Sequence, residues 1–112
     1  MFVANHSSVG NFNRVEDFVA WMSRGAYPSG YVMRVTISSF LDGVNRLLSR
    51  SYAVIAERPG ASDLDIEAAA AICARARVQT PYLLELGVHG AMLAVSTMDE
   101  HVAAMQRLLA GQ

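Results

Sequence analysis

A chain of 112 residues is long enough for one real core and too short for two, so a single domain over 1–112 is expected. Its charged fraction is 17% and its hydrophobic fraction 53%. Roughly 25% charge is usual in a soluble domain, so part of the apolar surface is expected to meet another subunit. The net charge of −1, with nine arginines and no lysine, argues against a general nucleic-acid binder, which needs a concentrated basic face.

The longest apolar runs, such as AAAAICA, fall far short of the ~20 residues that span a bilayer. The opening MFVANHSSVG lacks the basic start and long apolar core of a secretory leader, so a soluble, cytoplasmic protein with no membrane association is expected. The all-arginine usage, with abundant Ala, Val and Leu, is that of a genome rich in G and C, and a bacterial origin is expected on that ground.

MFVA can form a short first strand, and NHSSVGNFN is a loop by composition. Asn13 can cap a helix with Glu16 at its third position, Val15, Phe18, Val19 and Met22 making one face before Gly25 closes it. AYPSG is a turn. Tyr31 to Ser38 alternates: Tyr31, Met33, Val35 and Ile37 point one way, Val32, Arg34, Thr36 and Ser38 the other, which predicts a half-buried strand. Ser39 with Asp42 opens a helix whose stripe is Phe40, Leu41, Val44, Leu47 and Leu48. SYAVIAE, rich in aromatic and β-branched residues, predicts a second strand, ended by Arg58-Pro59-Gly60.

The stretch Ala61 to Val78 predicts the central helix. Ser62 is its cap and Asp65 stands three residues on. Asp63, Asp65 and Glu67 suit the positive end of the helix dipole, and Arg75 and Arg77 suit the negative end. Ala68 to Ala71 and Ala74 let this helix approach neighbours closely on more than one side. Thr80-Pro81 opposes continuation. The runs Tyr82–Leu86 and Ala91–Val95, separated by Gly87-Val88-His89-Gly90, then predict a β-hairpin. A pair of helices is the alternative, since Leu, Ala and Met are good helix formers. Thr97 and Glu100 suggest a last capping box, with Val102, Met105 and Leu109 as its stripe and Gly111 as its stop.

The order α, β, α, β, α, β, β, α predicts an α/β (α+β) two-layer sandwich. About four helices would cover a mixed sheet of four strands, or five if MFVA joins. The polar face of Val32, Arg34, Thr36 and Ser38, with Ala53, Ile55, Leu83 and Leu93 beside it, would pair sheet against sheet in a homodimer or a higher even-numbered oligomer.

Among chemical groups, His89 stands first, held between glycines at a sheet end with an imidazole suited to neutral pH. Arg34, a charge within an apolar strand, could bind a carboxylate or phosphate. His6 with Ser7 and Ser8 could meet an anion near a helix start, although NHSSVGN lacks the glycine spacing and lysine of a phosphate loop. Trp21, Tyr27 and Tyr31 cluster about the first turn. His101 lies beside two acids and is expected to face solvent, and Cys73, inside an alanine-rich helix, is expected to be a small buried residue. Three scattered histidines and one cysteine make no metal site, and no cofactor motif is present. Two functions remain: a homo-oligomeric interaction, sensor or adaptor module without a catalytic constellation, or a small-molecule-binding protein or enzyme with a site near His89, Arg34 and His6.

Overall fold

The computed structural model describes residues 30–111 of the chain. Three α-helices carry the fold: α1 (Gly30–Glu57), α2 (Asp63–Leu86) and α3 (Ala91–Leu109), with a short 3-10 helix, Gly87–Gly90, between the last two. The expected sandwich with its mixed sheet is not the fold. Among the described residues there is no strand, and all three helices pack against one another as an up-down-up bundle. The expected helix after Asn13, the MFVA strand, His6, Trp21 and Tyr27 lie outside the described residues.

Helix α1 replaces two expected strands and the helix between them. The reason is visible in what it buries: Thr36, Ile37, Phe40, Leu41, Val44, Leu48, Ser51 and Ile55. Their spacings of one, three and four residues draw one continuous helical stripe across all three expected elements. The alternation over Tyr31 to Ser38 holds only while the window stops at Ser38. A β preference worth about 1 kcal/mol or less per residue yields to a helical face that is buried from Thr36 to Ile55. Ser51 and Ile55, read as strand residues, are one turn apart on that same face. Thr36, Ile55 and Leu83, assigned to an exposed sheet face between subunits, are almost completely buried inside this bundle, so that interface does not exist.

Helix α2 begins where the sequence places it. The Ser62 side chain accepts a hydrogen bond from the Asp65 N–H at 3.0 Å, and Asp63 and Asp65 occupy the first turn. It does not end at Val78. It runs on through Pro81 to Leu86, so Arg75 and Arg77 sit in its middle, and the last turn carries no basic residue. Proline lacks the N–H that would meet the Arg77 carbonyl one turn back. Pro81 nevertheless stays on the exposed side, and beside it the helix is tied down. The Thr80 hydroxyl donates to the Ala76 carbonyl at 2.7 Å and accepts from Asn45 Nδ2 of α1 at 2.8 Å, while Asn45 also donates to the Leu41 carbonyl at 2.9 Å. This chain of polar contacts joins α1 to α2 at the level of the proline.

The expected hairpin is the end of α2, the 3-10 turn and the start of α3. Gly87 and Gly90 do bracket a turn, but it joins helices. Gly87 caps α2 at φ +60, its N–H donating to the Leu84 carbonyl. Helix α3 therefore starts at Ala91, and Thr97 and Glu100 lie within it rather than at its beginning. Its end is as expected: the chain leaves through Gly111 at φ +86, after an Ala110 N–H to Gln106 carbonyl bond. The end also receives a cap from elsewhere. In the α1–α2 connection, Arg58 donates to the carbonyls of Leu108 at 3.4 Å and Leu109 at 3.0 Å, placing a cation on the negative pole of α3.

Candidate interaction surface

The groups singled out from the sequence do not gather into one site. Arg34 lies on α1 rather than on a strand, and His89 lies on the 3-10 turn and is exposed. α1 packs against that turn, so the two elements meet, but the sheet end that was to hold both residues is absent among the described residues. His6 lies outside the described residues. Among the described residues no group of three or more His, Cys, Asp or Glu side chains is placed to hold a metal ion, and no helix is long and apolar enough to cross a membrane.

Two chemically capable side chains are absorbed by helix packing. Cys73 is buried, and its Sγ donates to the Leu48 carbonyl at 3.4 Å. Burial pushes its thiol above the ordinary range, against a weaker opposite pull from Arg77, so the thiolate needed for nucleophilic work is disfavoured. His101, expected to face solvent, is buried between α3 and α2, with Nε2 2.6 Å from Gln79 Oε1. The amide oxygen only accepts, so Nε2 carries the proton.

Burial first, then the nearby Arg75 cation, lowers the proton affinity of this imidazole, and Glu100 opposes them in smaller measure. A histidine whose folded pKa lies below its unfolded value is held neutral in the native state. The unfolded chain then binds the extra proton as pH falls below about 6.5. Stability is expected to be complete above that pH, to fall as pH drops through it, and to stop falling on this account below the folded value. Urea unfolding between pH 7.5 and 5 should show the slope in the native chain and a flatter profile in His101→Gln.

What α2 leaves outside is more telling. Its buried residues are Ala69, Ile72, Cys73, Ala76 and Leu83. On the opposite side stand Leu64, 78% exposed, Val78, 77% exposed, and Tyr82, 60% exposed. Leu64, Ala71 and Val78 recur every seven residues, a step that returns to the same helix face within about 20°. Ala74 is exposed beside them. Glu67 lies on this face between Leu64 and Ala71, and Arg75 between Ala71 and Val78, both exposed. The outer face is therefore an apolar strip with Glu67 and Arg75 set about its middle and a second acid, Glu85, toward its C-terminal end.

Sequence reading missed Leu64, Val78 and Tyr82 as surface residues, although the signal was present: small or apolar residues on more than one side of this helix exceed what one buried stripe needs. A second exposed group, Leu84, Met92 and Leu93, lies about the α2–α3 corner. Compared with models of protein families, with curated proteins and with solved structures, the chain matches none of them.

Proposed function

We propose that this chain is a small helical interaction module that associates with copies of itself through the outer face of α2. The observation that carries this reading is the exposure of Leu64 and Val78, each above three quarters, on the side of α2 turned away from the core. Large apolar side chains aligned on one face are the make-up of an interaction surface. Low overall charge supports the same reading.

Sedimentation of the full chain across micromolar concentrations tests it, with a mass above 12.1 kDa that rises with concentration as the expected result. Val78→Asp should shift the chain toward the monomer while leaving its helical signal intact, because the residue touches solvent rather than core. A native chain that stays monomeric throughout would overturn the proposal.

A further inference from the structure

The outer face of α2 is complementary to itself in one orientation only. Ala71 stands at its middle, with Leu64 seven residues before and Val78 seven after, Glu67 four before and Arg75 four after. Turning a second copy end for end about an axis through Ala71 sets Leu64 against Val78 of the other copy and Glu67 against its Arg75. Each pair then occurs twice, as a twofold axis requires. Side by side in the same direction, the copies would instead set Glu67 against Glu67 and Arg75 against Arg75, which repel.

We infer that two copies pair through antiparallel α2 helices centred on Ala71, with Glu67 of each facing Arg75 of the other. This rests on the proposed self-association and adds its direction and register. The partner is thus a second copy of this chain, on three grounds. The acidic and basic positions are equidistant from the centre. The alanine at the centre has too little side chain to hold two helix backbones apart, so they approach to the short end of the ~8–10 Å range of interaxial distances. The largest exposed apolar groups on the face then cover one another. Opposed charges of this kind chiefly set orientation and exclude wrong pairings.

Charge reversal tests the register. In the full chain at low salt, Glu67→Arg and Arg75→Glu should each weaken the dimer at least about tenfold, because each creates two like-charge contacts across the axis. An equimolar mixture of the two single variants should recover native affinity as a heterodimer, and the double variant E67R/R75E should recover it alone. Both residues are exposed, so circular dichroism should show all three variants folded. A native dimer that neither single reversal weakens would overturn this register while leaving self-association standing, and so would weakening that neither the mixture nor the double variant repairs. A native chain that remains monomeric would overturn both.

Discussion

Ile72→Asp should unfold most of the protein at ordinary temperature. Ile72 is 4% exposed on the inner face of α2, in one cluster with Cys73, Ala69 and the α1 residues Leu48 and Val44. A carboxylate there would lose its water among the apolar side chains of that cluster. Burying an unpaired charge costs several kcal/mol, and the apolar contacts of the isoleucine are lost as well. A small domain commonly has only about 5–15 kcal/mol in total.

Arg77, on the same helix, is the control. It is exposed, and its guanidinium donates to the Ser49 Oγ of α1 at 3.0 Å. Losing one such solvent-facing contact in Arg77→Ala should cost under about 1 kcal/mol. Urea unfolding followed by circular dichroism compares the two directly. Equal losses would mean that the inner and outer faces of α2 are wrongly assigned.

Gly90→Ala should be the most damaging of the small-to-small changes, at about 1–3 kcal/mol, as overpacking in a tight site generally is. Gly90 is buried at the start of α3, and its φ of −100 is open to any residue, so conformation does not demand glycine there. Space does. A methyl carbon at this position would lie 2.5 Å from Leu86 Cβ and 3.0 Å from Leu86 Cδ1. A Cβ cannot rotate away, so the α2–α3 corner itself would have to open. Because the conflict is with the first side-chain carbon, the loss should persist in a Leu86→Ala background, where that carbon remains. A Gly90→Ala chain with the native unfolding midpoint would show that the corner is wider than the structure has it.

This corner also shows where the sequence was legible and where it was not. Gly87 and Gly90 marked a turn, and a turn is there. Whether it joined strands or helices rested on two five-residue runs, Tyr82–Leu86 and Ala91–Val95, too short for their apolar pattern to distinguish the periods. Pro81 pressed the reading toward strands because it removes a helical hydrogen bond. In the folded chain that loss is local, and the Thr80 and Asn45 contacts beside it hold α2 in place. Of the candidate site, the small residues along α2 were visible beforehand. Their outward exposure was not, since it depends on which side α1 and α3 occupy.

The sequence by itself determined the turn at Arg58-Pro59-Gly60, the turn between Gly87 and Gly90, and the start of α2. The Ser62 cap, the positive-φ glycines Gly60, Gly87 and Gly111, and the helical character of α2 are all local matters of backbone freedom and side-chain hydrogen bonding within a few residues. Only the tertiary structure decided that Gly30–Glu57 is one helix, that His101 faces Gln79 rather than water, and that the Arg58 guanidinium closes α3 some fifty residues downstream. Those choices turn on burial. A short run of β-branched and apolar residues costs little in either conformation, and the difference is settled by the partner face that covers it, which a distant part of the chain provides.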